Sequence, residues 1–202
     1  MANDVGIPSS ALLTLEARLA IAAHHEAGHI VLAAVMGLPL RPEGIMVDTE
    51  GEGLACYGKE PEELDDSRAR VMLSTFAGCF AQNRYCRDHG YPELEYLARI
   101  WSLDWKESRG ISGKLSDAYL AGRSILATQE ALEKRSEELV TERWHVIEAV
   151  ASALLAKGLE PVKPLKSGSL WAKGTSARYL TGDEVVEIIA RFGIAATRMP
   201  EC

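Results

Sequence analysis

The sequence predicts a mainly α-helical domain of the α+β class with one small β-hairpin. The stretch 116–157 is rich in Ala, Leu and Glu and contains no Pro and a single Gly, which is typical of helix. Two short apolar segments, 45–47 and 54–57, flank a Glu/Gly-rich turn and predict the hairpin. With 202 residues, 47% hydrophobic and 25% charged, the chain has an ordinary globular composition. We therefore expect residues 1–202 to form a single domain.

The first half of the chain is predicted to contain two long helices separated by the hairpin. Pro8, Ser9 and Ser10 provide a start signal for a helix from Ala11 to about Met36, and the following Gly37 and Pro39 end it. After the hairpin, a second helix is expected from Pro61 to Gly90. Acidic residues in its first turn complement the helix dipole.

The second half is predicted to be helical on either side of an irregular connector. We expect a short helix over 93–101, and then one long helix or two in line from Ser116 to Lys157, stopped by Gly158. Residues 159–180 are rich in Pro, Gly and Ser and predict an irregular connector or insertion, with room for a short strand or hairpin. A last helix is capped by Thr181 and ends at Gly193.

Charge and hydropathy exclude several classes of function. The formal net charge of −7 argues against a general nucleic-acid or anionic-membrane surface, which would require an excess of basic residues. The longest apolar run, 30–40, is too short to cross a bilayer. No basic segment of the secretory type opens the sequence, and the four cysteines form no CxxC pair. We therefore expect a cytoplasmic protein with reduced thiols and without a membrane segment.

A motif with specific chemistry lies in the first helix, where His25, Glu26 and His29 interrupt a nearly apolar segment. Residues four apart share a helix face, so the two imidazoles can reach one metal ion. The intervening glutamate is turned about 100° around the helix and borders the ion, where a base acting on metal-bound water must lie. This HExxH pattern predicts a hydrolytic zinc site. Zinc lowers the pKa of bound water to about 7 and polarises the scissile carbonyl.

The residues alone leave the third zinc ligand open. A catalytic zinc needs three protein ligands if water is to hold the fourth position. The extended motif with a third histidine is absent, because Val35 and Met36 stand in that region. Three acidic residues lie about twenty positions downstream, but in the Gly-rich turn rather than on a second helix: Asp48, Glu50 and Glu52.

Beyond this motif, the sequence resembles the M41 peptidase family, the protease domain of FtsH-type membrane AAA zinc metalloproteases. "HHEAGHIVLAAVMG" is similar to the HEAGH helix of that family, and "GIMVDTEGEGLACYGKEP" to its strand and edge-strand segment. The helix "STFAGCFAQNRY", the segment "SGKLSDAYLAGRSI" and the closing "RYLTGDEVVEIIA" also have counterparts there. The resemblance implies a helical zincin-like metalloprotease domain with a small β-hairpin and edge-strand element.

Carried over by position, the resemblance implies His25, His29 and Asp117 as zinc ligands and Glu26 as the catalytic base. It implies a metalloendopeptidase that binds a peptide or unfolded protein along the strand formed by Leu54, Ala55, Cys56 and Tyr57. The chain contains no P-loop, so any ATPase that feeds it would be a separate partner. Because the family is hexameric, a homo-oligomer of unspecified size is expected.

One departure supports an alternative function. The acidic pair of the family is replaced here by Gln82 and Asn83, which removes two carboxylates near the site. The alternative is therefore a catalytically inactive zinc-binding adaptor derived from an M41 peptidase, although such a protein does not require Glu26. A third hypothesis is a helical domain without metal, in which the charged face of 130–143 is solvated surface.

Overall fold

The structure, a computed structural model, describes residues 13–58, 65–91, 129–164 and 172–199. Within these ranges the chain forms five helices and four strands. In chain order they are α1 (Leu15–Val35), β1 (Leu40–Asp48), β2 (Gly53–Tyr57), α2 (Asp65–Asp88), α3 (Gln129–Glu142), α4 (Trp144–Leu155), β3 (Glu160–Pro161), β4 (Ser176–Leu180) and α5 (Gly182–Ala190). The predicted helix over 93–101 and the predicted helix start at Ser116 lie outside the described residues.

Helix α1 is the central element of the fold. It begins at Leu15 rather than near Ala11, because the Thr14 side chain accepts a hydrogen bond from the Ala17 N–H at 3.2 Å and caps the helix there. From Ala22 onward most of its residues are buried, since α2, α4 and the sheet pack around it. The polar residues of the HExxH motif are therefore held inside the protein on a rigid element.

The sheet is antiparallel and has the order β2-β1-β4-β3, so the predicted hairpin of β1 and β2 is only part of it. Strand β1 is central and carries Ile45 and Val47 into the core against α1. Strand β2 lies at one edge of the sheet among the described strands. The segment 159–180, predicted to be an irregular connector with room for a short strand or hairpin, contributes β3 and β4, and β4 pairs directly with β1.

The remaining helices follow the predicted pattern with different ends. The predicted helix 61–90 is observed as α2, while Pro61 lies outside the described residues. The helical region before Gly158 is divided into α3 and α4 at Arg143. The predicted cap of α5 is confirmed, because Thr181 and Glu184 form a reciprocal capping box. The structure therefore confirms a mixture of helices and an antiparallel sheet within the described ranges.

Asp48, one of the acidic residues considered as a ligand from the sequence, has a different role. Its side chain is fully buried at the end of β1. One carboxylate oxygen accepts hydrogen bonds from the N–H groups of Glu50 and Glu52, both at 2.9 Å. The other oxygen accepts from the N–H groups of Lys173 at 2.7 Å and Gly174 at 2.6 Å. Asp48 thus joins the hairpin turn to the segment that leads into β4.

Replacing Asp48 by Ala is expected to lower the free energy of unfolding by about 2–3 kcal/mol, because four backbone donors lose a charged acceptor. Urea unfolding monitored by circular dichroism measures this change. The matched control is Glu50→Ala on the same turn, where the side chain is exposed and a change within about 0.5 kcal/mol is expected. Equal stability of the two variants would contradict the role assigned to Asp48.

Candidate metal centre

The structure brings His25 and His29 together on α1, as their spacing predicts. Their Nε2 atoms are 3.0 Å apart, and their rings meet edge to face at 82°. His29 is buried with 6% of its surface exposed, and His25 is half-buried. Two nitrogens that bind one zinc ion at tetrahedral angles lie about 3.3 Å apart, since each bond is about 2.0–2.1 Å long. The observed separation is close to that value.

The hydrogen bonds of the other ring nitrogens indicate how the pair is oriented. Nδ1 of His29 donates to the backbone oxygen of Ser74 at 2.8 Å. Nδ1 of His25 lies 2.8 Å from Oε1 of Gln82, which can accept its proton. With Nδ1–H donating in each ring, both Nε2 atoms carry lone pairs that face each other. Imidazoles that bind metals characteristically donate their second N–H to an oxygen in this way, so the donor set fits a zinc ion.

Three residues of α2, each four positions from the next, form the wall opposite this pair. Ser74 and Gln82 supply the two oxygens, and Gly78 lies between them along the same helix face. Sequence reasoning did not identify Ser74 or Gly78, and it treated Gln82 only as a lost carboxylate. Their spacing of four places them on one face of α2. That spacing points to the histidines only once α2 is known to pack against α1.

Gly78 makes room for the imidazoles. A Cβ atom at this position would lie 2.3 Å from Nε2 of His29 and 2.8 Å from Nε2 of His25. Both distances are far below van der Waals contact, so any larger residue would displace the rings. The absence of a side chain at Gly78 is therefore a condition for the observed arrangement of the two histidines.

Glu26, the predicted base, is buried between α1 and the edge strand, with 6% of its surface exposed. A Cβ atom built at Gly53 would lie 2.5 Å from both Cγ and Oε1 of Glu26, so the side chain rests on the backbone where β2 begins. The carboxyl group is thus placed beside the strand that was predicted to bind substrate. Its neighbour His24 is turned elsewhere, stacked on Tyr85 with ring centroids 4.1 Å apart.

His24 is buried and hydrogen-bonded. Its Nδ1 lies 2.7 Å from the backbone oxygen of Ala20, and its ring also stacks near Trp144. Burial lowers the pKa of His24, which favours the neutral imidazole. His24 therefore acts as a packing residue between helices.

The predicted substrate-binding residues lie on β2, and all of them are partly exposed. Ala55 and Tyr57 pack against the hydrophobic core, so the alternating Leu54 and Cys56 point to the other face. Burial, together with the charges of Glu43 and Glu26, raises the pKa of Cys56 to about 12, with Arg41 opposing. The Cys56 thiol is therefore protonated near neutral pH.

The third ligand implied by the family resemblance, Asp117, lies outside the described residues. In the described part of the chain, no group of three or more His, Cys, Asp or Glu side chains could hold a metal ion. His25 and His29 come together as their spacing predicts, and Glu26 lies against the backbone at Gly53. Asp48 is engaged by backbone donors, and Glu52 pairs with Lys173. The role of Asp117 stays a prediction.

Comparisons with known proteins give no match, whether to a protein-family model, to a curated protein or to a solved structure. Within the described residues, no helix is long and apolar enough to span a membrane. The hypotheses about this site are therefore carried by the arrangement of its own side chains.

Proposed function

We propose that the protein is a zinc-dependent metallopeptidase that hydrolyses peptide bonds in peptides or unfolded proteins. The observation that carries this proposal is the arrangement of His25 and His29, whose Nε2 atoms face each other at 3.0 Å while each Nδ1 contacts an oxygen. Asp117 is the proposed third ligand. A structural zinc site is normally closed by four protein ligands, whereas this motif adds a carboxylate, Glu26, that is suited to proton transfer.

Zn²⁺ bound at this site would acidify a water molecule and polarise the scissile carbonyl. In this proposal Glu26 accepts a proton from the attacking water and later delivers it to the leaving amine. Its burial beside Gly53 restricts its motion and keeps it next to the substrate strand. An extended peptide would pair with the outer edge of β2, so that backbone hydrogen bonds hold the scissile bond near Glu26.

The first experiment is a measurement of zinc per chain by elemental analysis, for the wild type and for His25→Ala and Asp117→Ala. We expect about one zinc in the wild type and a loss or strong weakening of binding in both variants. Cleavage of an unstructured protein such as casein, inhibited by EDTA and restored by zinc, would then establish the activity. Absence of zinc from the reconstituted wild type would overturn the proposal.

A second candidate is a catalytically inactive zinc-binding adaptor. The observation that favours it is the neutral Gln82 amide next to His25, where a carboxylate would increase the basicity of a metal ligand. The two candidates differ in one result. An adaptor binds zinc and does not cleave casein, whereas the peptidase does both.

A further inference from the structure

Gln82 differs chemically from a carboxylate in one respect that matters at this site. An ionised carboxylate only accepts hydrogen bonds, whereas a primary amide carries an acceptor oxygen and a donor NH₂ on the same carbon. A half-turn of the amide exchanges the two with almost no change in shape. Because Gln82 is half-buried and lies 2.8 Å from Nδ1 of His25, either end can face that nitrogen.

With the oxygen turned to His25, the site is set for a cation. His25 then donates from Nδ1, His29 donates from Nδ1 to Ser74, and two lone pairs face each other across 3.0 Å. In this tautomer each Nε2 carries the lone pair that a metal ion requires, whereas a proton on Nε2 of His25 would block metal binding there. This orientation of Gln82 therefore favours the metal-bound state.

With the NH₂ turned to His25, the same side chains form a complete hydrogen-bond chain without metal. Gln82 donates to Nδ1 of His25, Nε2–H of His25 donates to Nε2 of His29 across the 3.0 Å gap, and His29 donates to Ser74. The proton on His25 moves from Nδ1 to Nε2, so the pair carries the same number of protons in both states. Every ring nitrogen in this chain has a partner.

We propose that Gln82 is a positioning residue whose amide turns over when metal binds, so that the site is stable both with and without zinc and the zinc is exchangeable. The inference rests on the metal binding of the proposed function, but it does not depend on peptide cleavage. A carboxylate at position 82 would hold His25 in the Nδ1–H form and would disfavour the metal-free state. Gln82→Glu is therefore expected to bind zinc about tenfold to hundredfold more tightly than the wild type.

The test combines nitrogen NMR of the histidine rings with zinc affinity measured by chelator competition, both at a pH where the imidazoles are neutral. In the metal-free wild type we expect His25 to carry its proton on Nε2. In the zinc-bound wild type we expect the proton on Nδ1. In Gln82→Glu we expect the proton on Nδ1 in both states. The ring signals of His25 are assigned from single histidine variants.

Arg87→Gln is the matched control for charge. It shifts the net charge by the same single unit on the same helix, but Arg87 is exposed and lies in the last turn of α2. We expect its zinc affinity to stay within about twofold of the wild type, since exposed charges are screened. If Arg87→Gln increased zinc affinity as much as Gln82→Glu does, the effect would be due to overall charge, and the proposal would be overturned.

Two other outcomes separate this inference from the proposed function. Zinc binding with His25 carrying its proton on Nδ1 in the metal-free wild type would overturn the amide turnover and leave the metallopeptidase proposal intact. Absence of zinc binding in the wild type would overturn both. Zinc binding without cleavage, together with the expected change of tautomer, would support the inference and favour the adaptor.

Discussion

Replacement of Glu26 by Gln is expected to reduce peptide cleavage by about 10²–10⁴-fold while one zinc per chain stays bound. The amide has nearly the shape of the carboxyl group, so its contact with the backbone at Gly53 is retained. The amide cannot accept a proton from water at neutral pH, so the proposed general-base step would be lost. Steady-state cleavage of a fluorogenic peptide measures the loss of activity, and elemental analysis of the same samples shows whether zinc is retained.

Glu50→Gln is the matched control for this variant, because Glu50 is an exposed glutamate in the turn between β1 and β2. It should cleave at the wild-type rate. Wild-type activity in Glu26→Gln would exclude Glu26 as the base. Loss of zinc together with activity would instead assign Glu26 a role in metal binding.

Replacement of Gly78 by Ala is expected to weaken zinc binding at least about a hundredfold while the protein stays folded. The added methyl group would overlap the Nε2 atoms of both histidines, at 2.3 Å and 2.8 Å, and the rings must move away. That movement breaks the hydrogen bonds to Ser74 and Gln82 that orient them. Alanine is also favoured over glycine in a helix by about 1 kcal/mol, which offsets part of the strain in α2.

Zinc titration and thermal unfolding of the metal-free protein measure the two effects separately. Gly158→Ala serves as the control, since a Cβ at that position has no neighbour within 4 Å, and zinc affinity should be unchanged. Wild-type zinc affinity in Gly78→Ala would show that the rings do not need the space that the glycine leaves.

Local signals in the sequence were sufficient for several elements. The spacing of His25 and His29 placed both imidazoles on one helix face, and the structure confirms that they meet. The reciprocal cap of α5 was also readable, because Thr181 and Glu184 satisfy each other within one turn. These features depend on residues three or four positions apart, so the chain encodes them without reference to the rest of the fold.

Longer-range features could not be read in the same way. The connector 159–180 was predicted to have room for a short strand, but the place of β4 next to β1 was not predicted, because it depends on pairing across more than a hundred residues. Asp48 was considered as a ligand because it is an acidic residue about twenty positions after the HExxH motif. The backbone donors of Lys173 and Gly174, which decide its role, come from a distant segment.

The sequence by itself determined that two histidines and a glutamate share one buried helix, because the periodicity of an α-helix converts a spacing of four into a common face. Only the tertiary structure decided what surrounds them. The packing of α2 against α1 places Ser74, Gly78 and Gln82 opposite the imidazoles, and the sheet places β2 beside Glu26. Such contacts join residues far apart in the chain, so they are set by how the helices and sheet pack together rather than by any local pattern.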